Sequence, residues 1–338
     1  QPEARLTTWP YSANHWSLDR DQDDYIAALD TEHVIFQSEI DKDSVDWREA
    51  GYAKDCWDYS MSRITPSERI VRQRSLCKAR GLPFSTKLEI NTSIECLNVP
   101  YLPTLENQRA IWENARQLRP QAIHSRWLFD GANKSPSEEL GYWSIWGKGS
   151  EFDDLDHTLT AIAERDFGSK AARRVRRSWA LCSQGMRHHP QLDYYKGSFF
   201  VGPGQPLVLD EGSATAPGVT PESLDAAFFG VFYWQWENAA THDATNMIEK
   251  KPLFYGRPFF RALARRGPRQ GQDVALEELQ ELARLWELGA AQIEAARKDV
   301  PRAARERYNR EVTLVRYLAL TWASAARVEE FLRLRNVV

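Results

Sequence analysis

The feature that most restricts the fold is an alternation of β-prone runs with amphipathic stretches over residues 1–150. Runs rich in β-branched and aromatic residues predict strands at residues 6–9, 33–37, 56–60, 83–91 and 122–129. The stretches between them predict helices at residues 21–29, 67–80 and 105–118. The second helix is the best marked, because Gly81 follows it where a left-handed cap is favoured.

This alternation is typical of a parallel sheet covered by helices. A closed (β/α)8 (TIM) barrel needs eight strand-helix units, and only part of that number is visible. We therefore expect residues 1–150 to be the C-terminal half of a (β/α)8 catalytic barrel, with the N-terminal barrel half missing from this chain. An open doubly wound sheet is the alternative, and the lack of a glycine-rich phosphate-binding motif disfavours it.

Beyond residue 150 the pattern becomes largely helical, which predicts an α-helical domain after the barrel segment. Residues 151–260 combine helices with an aromatic-rich irregular region, and residues 261–338 predict a C-terminal helical pair. The predicted helices lie at residues 155–167, 171–186, 274–298 and 302–335. Apolar stripes mark the pair's expected core: Leu276, Leu279, Leu282, Leu285, Leu288, Val312, Val315, Leu318 and Leu320. We expect the pair to pack on the barrel or its neighbouring helices and to supply no catalytic group.

Charge and motifs exclude several classes of function. The net charge is −3, with acidic and basic residues interspersed, which disfavours a nucleic-acid partner. No apolar run is long enough to predict a membrane span. The adjacent His188 and His189 diverge and lack a carboxylate at ligand spacing, so no metal site is expected. Cys56, Cys77, Cys96 and Cys182 favour free buried thiols over two disulfides.

Aromatic residues are abundant, with 13 Trp and 12 Tyr. A Trp or Tyr ring offers a flat apolar face with a polar edge, which suits the C–H face and hydroxyl rim of a pyranose. Several aromatic and polar side chains close to acids are therefore candidate sugar-binding residues: Trp57, Tyr59, Asn91, Tyr101, Trp127 and Asp130. Trp234, Trp236 and Glu237 are a sugar platform or, alternatively, a hydrophobic clasp between domains.

Acidic side chains follow several predicted strands. In parallel barrels the catalytic groups lie at or just after the carboxyl ends of the strands, where Glu39, Asp58, Glu95 and Asp130 fall. Glycoside hydrolysis needs two carboxyl groups. Glu39 and Glu95 are the predicted catalytic pair, and Asp58 is the next candidate. Each acid is alternatively a solvated charge or a cap, and Glu89 is expected to pair with Lys87 in the barrel wall.

Several segments of the chain resemble a known group of proteins. They lie at residues 58–62, 66–67, 87–91, 94–96, 99–103, 125–127 and 136–139, and they are similar to large, poorly characterised bacterial glycoside-hydrolase-like proteins. The resemblance implies a (β/α)8 catalytic domain with a helical C-terminal extension that acts on a glycan. The expected function is an O-glycosidase without a cofactor. The alternative is a non-catalytic carbohydrate-binding or structural portion of a larger assembly. The compartment stays open between export and the cytoplasm.

Overall fold

The structure is a computed structural model that describes residues 4–10, 23–47, 53–56, 60–91, 95–96, 99–125, 134–189 and 269–335. The strands are β1 (Leu6–Thr8), β2 (Val34–Glu39), β3 (Ser44–Trp47), β4 (Ala53–Cys56), β5 (Phe84–Leu88) and β6 (Ala122–Ser125). The helices are α1 (Asp23–Ala28), α2 (Glu68–Arg80), α3 (Leu105–Gln117), α4 (Pro136–Trp146), α5 (Leu155–Phe167), α6 (Ser169–Met186), α7 (Arg269–Ala295) and α8 (Arg305–Arg335).

Strands β1, β2, β5 and β6 form a four-stranded sheet in that order. All three pairings are parallel, and the sheet curls like half of a barrel. The register places Glu39 beside Lys87, and Lys87 beside His124. The prediction of a mixed α/β fold with a parallel, curved sheet is therefore confirmed at this level.

The two faces of this sheet differ in chemistry. Side chains alternate between faces along each strand. Phe36, Phe84 and Leu88 are buried on one face, where the Ser38 hydroxyl also donates to Gln73 of α2. That face is the helix-covered one, and the opposite face carries Gln37, Glu39, Lys87 and His124 in register. The ionisable side chains Glu39, Lys87 and His124 therefore lie together on the polar face.

Local sequence signals explain α2 well. Ser67 accepts a hydrogen bond from the Ile70 amide with its side chain, which caps the first turn. Gly81 adopts a φ of 69° and donates its own amide to the last turn, as a left-handed cap does. The helix therefore starts and stops where its capping residues predict.

One prediction about local structure was wrong, and one helix was missed. Residues 56–60 were expected to form a strand of the parallel sheet. Residues 57–59 lie outside the described residues, Ser60 is in no strand, and Cys56 ends a strand of a separate two-stranded sheet. That strand is β4, which pairs antiparallel with β3 as a hairpin inserted between β2 and α2. A short β-prone run does not tell parallel from antiparallel pairing. Helix α4 was not predicted, although Ser135 caps it and Pro136 stands at its first turn.

The helices after residue 150 pack into one helical layer, in which α7 lies against α6 and α8, and α8 also reaches α5. Trp179, Trp286 and Trp322 fill its core. Packing is close: a Cβ added at Gly289 would stand 2.8 Å from the Cys182 sulfur. The expected packing of the helical pair on neighbouring helices is observed.

Two residues of the predicted apolar stripes do not belong to the core. Leu288 is 42% exposed and Leu320 is 56% exposed. The leucines of α7 are spaced by three residues, and a step of three drifts around a helix of 3.6 residues per turn, so Leu288 has left the buried face. Leu320 follows the buried Leu318 by two residues, which is about 200° around α8 and places it on the opposite side of the helix. Trp286 and Ile293 continue the buried face of α7 instead. Within the described ranges, no helix is long and apolar enough to cross a membrane.

Candidate functional site

Polar residues gather where the parallel strands end. Trp9 directly follows β1, Glu39 ends β2, and Asp41 lies two residues further on. Glu89 follows β5, and His124 lies in the last strand, β6. The carboxyl ends of parallel strands meet at one edge of the sheet, which is where ligands bind in such folds. This edge is therefore the candidate functional site.

Glu39 is held on both sides by nitrogen donors. Its side chain is 2% exposed. The Trp9 indole N–H donates to Oε1 over 2.6 Å, and Nη1 of Arg69 stands 3.6 Å from Oε2. Arg69 lies in the first turn of α2 and is also 3.4 Å from an oxygen of Asp43, so it bridges two carboxylates. The nearby guanidinium compensates the charge that burial of Glu39 would otherwise leave isolated.

Ser60 joins two further carboxyl groups. Its backbone N–H donates to Oδ2 of Asp41 over 2.8 Å, and its hydroxyl donates to Oε1 of Glu95 over 2.6 Å. Both carboxyl groups are buried. Given two hydrogen bonds and the size of a serine, the two carboxyl groups stand within about 9 Å of each other. The fold thus brings Asp41 and Glu95 together, although they follow different strands.

Glu95 also receives two backbone hydrogen bonds from the residues after Ser60. The Met61 amide donates to Oε2 over 2.7 Å, and the Ser62 amide donates to Oε1 over 3.1 Å. The Met61 carbonyl in turn accepts from Asn107 Nδ2 over 3.0 Å, and the same nitrogen donates to Ser183 of α6. The segment that contacts Glu95 is thus fixed from the helical layer as well.

Asp41 has a perturbed acid–base equilibrium at this edge. Burial raises the pKa of its carboxyl group from 3.8 to about 6. The positive charge of Lys87 opposes this rise, whereas the negative charge of Glu89 adds to it. A carboxyl group with a pKa near 6 can hold a proton in mildly acidic solution and release it near neutrality, as a general acid must.

Lys87 and Glu89 form the ion pair that the sequence predicted. The Lys87 ammonium contacts Oε1 of Glu89, and both side chains are fully buried. Lys87 is also the register partner of Glu39. The pair therefore brings a fixed positive and a fixed negative charge to the polar face beside the other acids.

Trp9 and His124 complete the polar face. Their rings meet edge to face with centroids 5.6 Å apart. The Gln37 amide nitrogen lies 3.2 Å from Nδ1 of His124, which orients the imidazole. Sequence reasoning missed Trp9, Asp41 and His124 as site residues. Asp41 could have been found, because it continues the alternation of Gln37 and Glu39 beyond the end of the strand.

Two predicted sugar-binding residues make hydrogen bonds inside the protein. Asn91, with a φ of 67°, donates its side-chain amide to Glu138 over 2.9 Å and accepts from the Ser135 hydroxyl. The Tyr101 hydroxyl donates to Glu311 of α8. Their main contacts therefore hold loops and helices together. The other predicted site residues lie outside the described residues: Trp57, Asp58, Tyr59, Trp127, Asp130, Trp234, Trp236 and Glu237.

Three of the four cysteines agree with the expectation of free thiols. Cys77, Cys96 and Cys182 are buried and unbridged. Burial raises the pKa of the Cys77 thiol to about 12, so it stays protonated at neutral pH. No cluster of three or more metal-binding side chains occurs in the part of the chain that the structure describes.

Comparison with known proteins adds no relative. No protein-family model matches the chain, and no curated protein or solved structure is significantly similar to it. The site must therefore be interpreted from its own geometry.

Proposed function

We propose that the protein is a glycoside hydrolase that cleaves an O-glycosidic bond in a glycan without a cofactor, and that its curled sheet is part of a (β/α)8 barrel with a helical extension. The observation that carries this proposal is the convergence of Glu39, Asp41 and Glu95 at the carboxyl ends of parallel strands. Trp9 supplies an aromatic ring beside them. Glycoside hydrolysis requires a pair of carboxyl groups, and an aromatic ring beside them can pack against the apolar face of a sugar.

The environments of the three acids suggest different roles. Asp41, with a pKa of about 6, is the proposed general acid that protonates the leaving oxygen. Glu39, beside Arg69 and the Trp9 indole, is the proposed second carboxylate, which acts as nucleophile or base. Glu95 is the proposed support of Asp41, because it fixes Ser60, whose amide donates to Asp41. In this assignment Asp41 takes the place of Glu95 in the pair expected from the sequence, and Glu39 stays in it.

The test is sugar release from a panel of aryl glycosides and polysaccharides. Asp41→Asn and Glu39→Gln should each lower kcat by about 10² to 10⁴, the range for loss of a positioned acid or base. The activity of the parent protein should fall as the pH rises through about 6, where Asp41 loses its proton. Aryl glycosides with good leaving groups should be affected less by Asp41→Asn, since they need less protonation.

Asp166→Asn is a matched control, because Asp166 is also buried and ion-paired but lies on α5. It should lower stability and leave kcat near that of the parent. Glycan binding without sugar release in the parent protein, unchanged by Glu39→Gln, would instead identify a non-catalytic carbohydrate-binding module and contradict the proposal.

A further inference from the structure

Glu311 is a buried carboxylate outside the site. It lies on α8, is 5% exposed, and uses both oxygens. Oε1 accepts from the Trp179 indole of α6 over 2.7 Å, and Oε2 accepts from the Tyr101 hydroxyl. Burial raises the pKa of this carboxyl group above its usual value, and the nearby Asp166 adds to the rise.

This arrangement is a poor way to gain stability alone. Both donors to Glu311 are neutral, and the nearby charge that acts on its pKa is the negative charge of Asp166. Removing a carboxylate from water costs several kcal/mol unless a good partner compensates it, and an apolar side chain would fill the same position with less penalty. An acid in such a place calls for a reason other than packing.

Tyr101, one of the two donors to Glu311, lies close in the chain to Glu95 of the candidate site. Tyr101 lies six residues after Glu95 in the connection between β5 and α3. The next residue, Leu102, donates its amide to the Asn91 carbonyl over 2.5 Å, which closes the loop on itself. Tyr101 therefore attaches the β5–α3 connection, the Glu95 loop, to α8.

We infer that Glu311 is a positioning residue, which fixes the Glu95 loop through the Tyr101 hydroxyl and so holds Ser60 and Asp41 in place. Its role in turnover rests on the proposed function, whereas its hold on the loop does not. Glutamate suits the task because two acceptor oxygens on one planar group can face donors from two different elements. The helical layer is in this way part of the support of the site.

The first test measures hydrogen exchange by mass spectrometry in the full chain, in segments 60–66 and 95–104. Tyr101→Phe and Glu311→Leu should each raise exchange there about five- to tenfold, as expected for loss of a buried hydrogen bond. Glu311→Gln should restore most of the protection, because its oxygen can still accept from Trp179 while the tyrosine hydroxyl accepts from the amide.

Tyr308→Phe is the control. Tyr308 is also buried on α8, but its hydroxyl donates to the Ile293 carbonyl of α7 over 2.6 Å, so the same chemical change leaves the loop untouched. It should leave exchange in the two segments within about twofold of the parent protein. Equal exchange in Tyr101→Phe and Tyr308→Phe at matched global stability would overturn the inference.

Activity separates this inference from the proposed function. If the chain releases sugar, Tyr101→Phe should lower kcat with little change in KM, and the double variant with Glu311→Leu should lower it no further. Raised exchange with unchanged kcat would overturn the positioning role while leaving the glycosidase proposal intact. If the parent protein releases no sugar, the proposed function fails, and the exchange experiment still decides whether Glu311 holds the loop.

Discussion

Replacement of Asp41 by asparagine should stabilise the protein at pH 8, even though the side chain is buried and hydrogen-bonded. Burial raises the pKa of Asp41 from 3.8 to about 6, so between these pH values the folded state binds a proton that the unfolded chain has released. Above pH 6 both states are ionised, and the folded state carries the full penalty of the buried charge. At 1.36 kcal/mol per pKa unit that penalty is about 3 kcal/mol.

Asparagine removes this penalty and keeps an oxygen that can accept from the Ser60 amide. We therefore expect Asp41→Asn to raise the free energy of unfolding by about 1 to 3 kcal/mol at pH 8 and by almost nothing at pH 3.5, where Asp41 is mostly protonated in both states of the parent. Urea unfolding of the parent and the variant at the two pH values measures this change in the free energy of unfolding. The comparison requires that the parent and the variant have equal m-values.

Asp156→Asn should change the free energy of unfolding in the opposite direction. The hydrogen bond from Arg176 lowers the pKa of Asp156, so this carboxylate stabilises the folded state above its unfolded pKa and loses that effect as the pH falls. The variant should be slightly less stable than the parent at pH 8. If Asp41→Asn were also destabilising at pH 8, Asp41 would be a favourable buried anion, and its proposed role as an acid with a raised pKa would be refuted.

Three further substitutions test the packing and the turns. Leu282→Asp places a charge at a fully buried position of α7 and should lower the free energy of unfolding by about 3 to 5 kcal/mol, seen as a large fall in Tm; a fall of only a degree or two would show that α7 is not packed as described. Gly289→Ala puts a methyl group 2.8 Å from the Cys182 sulfur and should cost about 1 to 3 kcal/mol in urea unfolding, whereas a neutral result would mean that the helices separate easily. Gly81→Ala meets no atom within 4 Å, but its φ of 69° should still cost about 1 kcal/mol, and a gain in Tm would contradict the left-handed cap.

The sequence predicted the elements whose signals are local. Ser67 and Gly81 mark the two ends of α2, and the alternation of strands and helices predicted the parallel sheet. The position of Glu39 at the end of β2 was also predicted correctly, because the residues of β2 itself mark where the strand ends. Such features can be predicted because they depend on the interactions of a few consecutive residues.

The parts that were missed depend on distant partners. Nothing near Tyr101 indicates that Glu311 accepts from its hydroxyl, and nothing near Ser60 indicates that it joins Asp41 to Glu95. The strength of Asp41 as an acid likewise follows from burial, which the whole fold determines. The prediction from periodicity was also wrong at Leu288, because a leucine at every third residue gradually leaves the buried face of the helix.

The bond between Tyr101 and Glu311 joins residues 210 positions apart, which has a consequence for biosynthesis. A ribosome adds about 5 to 20 residues per second, so roughly 10 to 40 seconds separate the appearance of the two partners. During that interval the nascent sheet has its strands and α2 but lacks the helix that fastens the Glu95 loop. A chain stalled before α8 should therefore be sensitive to proteases at this loop, and the emerging sheet is the part of the protein for which a chaperone has the most time to act.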